Sequence, residues 1–301
     1  MSRASALAVL LVLGACPQAM AVSLQQVATE ALGAREGAII ALDPRDGTLL
    51  ALVNPRVAVA SAFPIGSVAK LVTGLASLEA GLTDPARRVQ CDGRYGAHRC
   101  WQRHGSVDLE MAIAQSCSTY FYAQGEALGA RRLRAAFQKA GFGSRTGSGL
   151  PNEIPGRLGP VTSRAEVLDL AYGDTGNLLA TPLQVAGFTA ALASGGVRRR
   201  PHWPGEPGAV VGQVPGGASL EGLRVGMRRA VLAGTAQQAN VPGLALFAKT
   251  GSATQLAAPH LRHGWFVGFT PTLAVVVFVK NGTGFTAAAP IARRIFERAH
   301  G

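Results

Sequence analysis

Phe63-Pro64-Ile65-Gly66-Ser67-Val68-Ala69-Lys70 passes from a chain break into a helix. Pro64 and Gly66 interrupt what precedes them, and Ser67 stands where an N-cap or first-turn residue would. Behind it Leu71, Leu75 and Leu78 recur at helical spacing and give one apolar face up to Gly81. A serine and a lysine three apart at such a start share a helical face, close enough for the amine to take the hydroxyl proton. The tetrad is weak by itself, since composition alone supplies about 0.2 of them in a chain like this.

Working outward, Gly37 to Leu42 and Thr48 to Val53 are apolar runs of β type joined by Pro44-Arg45-Asp46-Gly47, which predicts a hairpin. A Gly- and Pro-rich middle follows, with helical patterns predicted over Leu109 to Leu128, Ala130 to Ala140 and Pro182 to Ala193. The C-terminal part returns to strands, predicted at Leu244 to Thr250, Gly264 to Thr270 and Leu273 to Lys280, and closes on a helix from Ala287 to Ala299. Strands at both ends around a helical middle predict an α+β fold whose sheet is completed by distant parts of the chain.

Lysine is scarce. Only Lys70, Lys139, Lys249 and Lys280 occur among the 29 basic residues, yet Lys249 falls in Lys249-Thr250-Gly251, at the end of the apolar run Leu244 to Ala248. A glycine there lets a ligand backbone approach, and chance supplies the tripeptide only about 0.03 times. Between the two lies Ser116-Cys117-Ser118, followed by Thr119-Tyr120-Phe121-Tyr122, which alone reads as a polar helix start. Two of four lysines in two motifs, each in the local structure it needs, is not a coincidence of composition.

The 301 residues, 48% hydrophobic and 15% charged, suffice for a sizeable core and exclude a disordered chain. The 38 glycines follow no short period, which excludes collagen. A net charge of +12 without an aromatic-flanked basic stripe does not indicate nucleic acid. Residues 1–21 read as an export signal: Arg3, the apolar run Ala4 to Ala15, then Ala19-Met20-Ala21 before Val22. The rival reading takes Leu13-Gly14-Ala15-Cys16 as a lipobox, which would give a lipid-anchored or peripheral membrane protein. Either way the chain is expected in the periplasm or cell envelope. There Cys91 and Cys100 would be free to form a disulfide, with Cys117 a buried thiol. His260 and His263 have no third ligand nearby, so no metal and no cofactor is expected. Arg198-Arg199-Arg200 reads as a solvated loop, and Trp265 and Phe266 as core and cleft wall.

The three motifs together resemble the transpeptidase domain of penicillin-binding proteins, serine acyl-transferases that share S-x-x-K, S-x-N and K-T-G with serine β-lactamases. The resemblance extends to Gly37 to Asp43, Phe63 to Ser67, His104-Gly105, Thr181-Pro182-Leu183-Gln184, Gly234-Thr235-Ala236, Trp265 to Phe269 and Ala289-Pro290-Ile291. It implies a five-stranded, mainly antiparallel sheet flanked by helices with a helical subdomain, over residues 22–301, without a pedestal or glycosyltransferase domain. It implies Ser67 as nucleophile, Lys70 as its base and Ser116 as proton relay. It also implies Ser118, Lys249, Thr250, Gly251 and Ser252 as substrate contacts, the backbone N–H groups of Ser67 and Ser252 forming the oxyanion hole. The helix N-terminus and Lys249 are expected to lower the Lys70 pKa. Ser118 stands where the family usually has asparagine, which puts substrate orientation in question. The implied partners are peptidoglycan stem peptides and β-lactams, with no protein partner indicated. A D,D-transpeptidase, a D,D-carboxypeptidase or β-lactamase with the same acyl-enzyme, and a non-catalytic peptidoglycan-binding or β-lactam-sensing protein all fit these residues.

Overall fold

A computed structural model describes residues 23–300. The export segment, the cleavage point after Ala21 and Cys16 lie outside the described residues. Gly37–Leu42 (β1) and Leu49–Val53 (β2) form the expected hairpin. The Asp43 carboxylate closes its turn by accepting from the Arg45 N–H at 2.9 Å and guanidinium at 2.5 Å. Phe247–Gln255 (β3), Ala258–Phe269 (β4) and Ala274–Val279 (β5) complete one sheet. Its order is β3-β4-β5-β1-β2 with every neighbour antiparallel. Gly37 pairs with Val279 and Leu42 with Ala274, so the two ends of the chain meet at the sheet centre.

The strands are apolar on both faces because both are covered. Ile40, Leu42, Val276 and Phe278 belong to one core, Ile39, Ala41, Val275 and Val277 to the other. Besides the short helix Pro55–Ala60, the helices are Leu24–Leu32 (α1), Ala69–Glu79 (α2), Leu109–Ala114 (α3), Ser118–Lys139 (α4), Arg164–Tyr172 (α5), Pro182–Ala193 (α6), Gly217–Ala233 (α7) and Ala289–His300 (α8). Helices α1 and α8 cover the second core and α6 the first. Helices α2, α4 and α5 pack together as a helical layer beside the sheet. A 3₁₀ turn at Gly66–Val68 leads into α2 and packs on β3, so this turn joins the sheet to the helical layer.

Three expectations need correction. The strand predicted over Leu244 to Thr250 starts later and runs further: Lys249-Thr250-Gly251 is in mid-strand, while Arg228 binds the Leu244 and Leu246 carbonyls and holds that segment out of the sheet. The helix predicted over Leu109 to Leu128 is broken, because Ser116 takes a left-handed φ of 56° and chain direction resets between α3 and α4. Helix α4 then breaks where the sequence puts a boundary: Gly129, between the segments predicted to end at Leu128 and to start at Ala130, has the non-helical backbone φ 70°, ψ 168°. Finally, Cys91 and Cys100 are not bridged; Cys91, Cys100 and Cys117 are all free and buried.

Candidate active site

Ser67 reaches its position through glycines. Gly66 has a φ of 53°, and a Cβ there would lie 2.7 Å from the Ser252 carbonyl oxygen. A Cβ on Gly251 would lie 2.8 Å from the Ile65 carbonyl oxygen. Backbone therefore meets backbone between the Ser67 turn and β3, which only glycine permits. The Trp265 indole N–H donates to the Pro64 carbonyl at 2.9 Å and fixes the turn from β4. Beside this seam lies a cavity of about 570 Å³ lined by Ser67, Ser116, Tyr172, Thr235, Thr250 and Ser252, with the rings of Trp101 and Phe285 at its rim.

Lys70 lies beneath the cavity, 1% exposed. Its Nζ donates to the Ser116 carbonyl at 2.8 Å, the Ser116 hydroxyl at 3.2 Å and the Ser118 hydroxyl at 3.0 Å. The Tyr172 ring centroid lies 5.0 Å from it. Burial lowers its pKa to about 8, against a small opposing pull from nearby cysteines. Lys249 is fully buried and donates to the Thr250 carbonyl at 2.7 Å. Burial lowers it too, and the charge of Lys70 lowers it further. Ser252 accepts from the Gly284 N–H at 3.1 Å.

Of the residues expected from sequence, Ser67, Ser116, Thr250 and Ser252 face the cavity together. Lys70, Lys249 and Ser118 sit behind that surface, and Gly251 forms the seam. Trp101, Tyr172, Thr235 and Phe285 also line the cavity, although the motifs did not point to their side chains. Trp101 is 61% exposed, with its N–H on the Gln115 carbonyl at 3.1 Å and its ring edge-on to His104. Exposed aromatic rings beside a helix break carry no sequence pattern that separates them from ordinary surface residues.

One group was missed altogether. Cys91, Cys100, His104 and Cys117 converge behind the second motif, their ligand atoms all within 4.8 Å of one another. His104 Nδ1 is 3.5 Å from Cys91 Sγ and 3.4 Å from Cys100 Sγ, and the Ser118 N–H donates to Cys100 Sγ at 3.1 Å. Donation from the Cys117 thiol draws Cys100 down to about 2, with His104 and backbone N–H groups adding to it, and pushes Cys117 up. Where the sequence suggested no metal ligands, these four side chains are a donor set that can hold one. The signal was C-x₈-C-x₃-H-x₁₂-C, hidden by reading the cysteines as a pair. His263 packs against Phe63 and Phe278 and is not among these four ligands.

The comparisons with known proteins agree with this arrangement. The profile of the penicillin binding protein transpeptidase domain matches residues 37–297. Peptidoglycan D,D-transpeptidase MrdA of Acinetobacter baumannii is 29% identical, over 91% of this chain and 52% of its own length, so the chain spans about half of that relative. Pseudomonas aeruginosa PBP2, solved in complex with WCK 5153, superposes with a TM-score of 0.82 at 31% identity, covering 91% of this chain and 76% of that one. PBPA from Mycobacterium tuberculosis gives a TM-score of 0.83 at 25% identity, covering 92% and 80%. With three motifs converging on one cavity at the edge of a five-stranded sheet, the chain belongs to the penicillin-binding protein transpeptidase domain family.

Proposed function

We propose that this chain is a peptidoglycan D,D-transpeptidase domain acting through an acyl-enzyme at Ser67. The observation that carries the reading is the buried Lys70 amine, brought to about 8 and hydrogen-bonded to Ser116, beneath a cavity that Ser67 and Ser116 both line. A lysine that is neutral in an appreciable fraction near neutral pH can take the Ser67 proton as its oxygen attacks a D-Ala-D-Ala or β-lactam carbonyl. The proton then moves through the Ser116 hydroxyl to the leaving amine. The backbone N–H groups of Ser67 and Ser252 receive the developing oxyanion.

Strand β3 lies at the sheet edge, so its unpaired backbone groups offer a ladder to an extended peptide. Thr250 supplies a hydroxyl for the substrate carboxylate, while buried Lys249 contributes charge from behind rather than direct contact. Ser118 holds Lys70 from the interior instead of touching substrate, which accounts for a short hydroxyl serving where the family usually has asparagine. The substrate places the domain in the cell envelope, reached through the N-terminal export segment and held there by a lipid on Cys16 or by a partner. Among the described residues no helix is long and apolar enough to cross a membrane.

Reaction with a fluorescent penicillin tests the assignment. A long-lived adduct on Ser67, absent in Ser67→Ala and slowed at least about a hundredfold in Lys70→Ala, is expected. Rapid loss of the adduct would make the protein a hydrolase, and no adduct would leave a binding or sensing protein.

A further inference from the structure

We propose that Cys91, Cys100, His104 and Cys117 bind a soft divalent cation of the zinc class, and that this ion fixes the second-motif serines and the Trp101 side of the acyl cavity. Three thiols and an imidazole are a donor set of closed, four-coordinate zinc sites. A tetrahedral ion with Zn–S of about 2.3 Å and Zn–N of about 2.0 Å sets sulfur and nitrogen about 3.5 Å apart and sulfurs about 3.8 Å apart. The two sulfur–nitrogen distances, 3.4 and 3.5 Å, match that tetrahedron, and all ligand atoms lie within 4.8 Å of one another. A disulfide between any two of the sulfurs would leave a third thiol and the imidazole buried beside it without a common role.

The ligands come from three segments, of which the first two are joined by the His104 N–H on the Cys91 carbonyl at 3.2 Å and the Cys100 N–H on the Gly93 carbonyl at 2.9 Å. Cys91 ends the short strand Val89–Cys91, which pairs only with Gly105–Val107. Cys100 and His104 bracket the loop that carries Trp101 and Gln102 to the cavity rim. Cys117 lies between Ser116 and Ser118, the two side chains that hold Lys70. Ser116 keeps a left-handed φ of 56°, a conformation unfavourable for a non-glycine residue that persists only where its surroundings impose it. One ion bound to Cys117 and to both walls of the loop supplies that constraint. The three cysteines are buried, which leaves a closed site suited to holding structure rather than to catalysis. Cys100 borders a surface depression of about 290 Å³, also lined by Asp92, Arg99 and Arg103, through which an ion can enter.

Ion binding stands on these four side chains alone; only its effect on acylation rests on the transpeptidase reading. Zinc is measured by elemental mass spectrometry on the whole chain purified without chelator, and the cobalt-loaded protein is followed by absorption spectroscopy. About one zinc per chain is expected, with thiolate-to-cobalt charge transfer and the intense visible bands of a tetrahedral site. Cys91→Ser and Cys117→Ser should weaken zinc binding at least about tenfold. Because those variants can misfold, wild-type protein is also stripped with 1,10-phenanthroline and reloaded with zinc. Penicillin acylation should fall at least about tenfold on stripping and return on reloading.

Less than about 0.1 zinc per chain without a cobalt spectrum overturns the site. So does a native mass lighter by a pair of hydrogens, the mark of a disulfide, or zinc that survives unchanged in both variants. Zinc whose removal leaves acylation unaltered overturns the positioning role. A zinc-loaded protein that never reacts with penicillin defeats the transpeptidase reading and leaves the metal site standing.

Discussion

Lys70 does at the residue scale what its motif alone could not explain. S-x-x-K identifies the partners, but an ordinary lysine near 10.4 is almost fully protonated at neutral pH and cannot accept a proton. Burial supplies the missing step by lowering the amine to about 8. The sign follows directly: below that value the amine is charged and inactive as a base, above it the amine is free. The second-order acylation constant should therefore rise about tenfold per pH unit up to about pH 8 and then level off. Stopped-flow with a fluorescent penicillin measures it, and a profile flat between about pH 6 and about pH 9 would remove Lys70 from the role of base. Sequence pointed to Ser67, Lys70, Lys249 and Thr250 as candidates because each sits in a rare combination of residue types, and the fold brings Ser67 and Thr250 to one cavity with both lysines buried behind it. Sequence placed Ser118 on the substrate by analogy, whereas the hydroxyl is buried on the Lys70 amine. The Cys–His group was illegible for a different reason. Its ligands are spread over 27 positions of sequence, and only the break at Ser116 turns Cys117 toward the other three.

At the scale of elements, the informative feature is the seam between the 3₁₀ turn and β3. The hairpin β1–β2 and strand β5 were legible as short apolar runs bounded by turn residues. The extent of β3 was not: the strand was expected to end at Thr250, and Ser252, Thr254 and Gln255 are drawn into the sheet by β4, which pairs with them as far as Ala258. Gly251 sits in that extension. Replacing it with alanine places a methyl 2.8 Å from the Ile65 carbonyl oxygen and 3.1 Å from Val68 Cγ2, and neither neighbour is a flexible side-chain end. The strand must shift against the nucleophile turn. Gly251→Ala should lower the acylation constant at least about tenfold while costing about 1–3 kcal/mol of stability. Kinetics and thermal melts on one preparation separate these effects, and unchanged acylation would show that the seam does not set the position of Ser67.

On the scale of the whole molecule, the first and last helices lie together on one face of the sheet. Helix α1 was not read from the sequence, because its nine residues LQQVATEAL are few, include four polar ones and follow closely on the predicted export segment. Ala28, Ala31 and Leu32 are nonetheless buried in the same core as Ile295 and Phe296 of α8. Leu32→Ala should destabilise the protein by about 2–4 kcal/mol, read from denaturant unfolding, without altering the acylation constant of the folded fraction. A cost below about 0.5 kcal/mol would show that α1 merely rests on the sheet. The strand order has a consequence for how the molecule comes into being. As the chain emerges, β1 and β2 can close their hairpin at once, but the other edge of β1 waits for β5, and Gly37 for Val279. Until β5 arrives, an apolar strand edge stands open, as slow to fill as any long-range pairing and ready to join a neighbouring chain. A chain built this way depends on being kept apart from its own copies while it folds, and its yield on refolding should fall steeply with protein concentration.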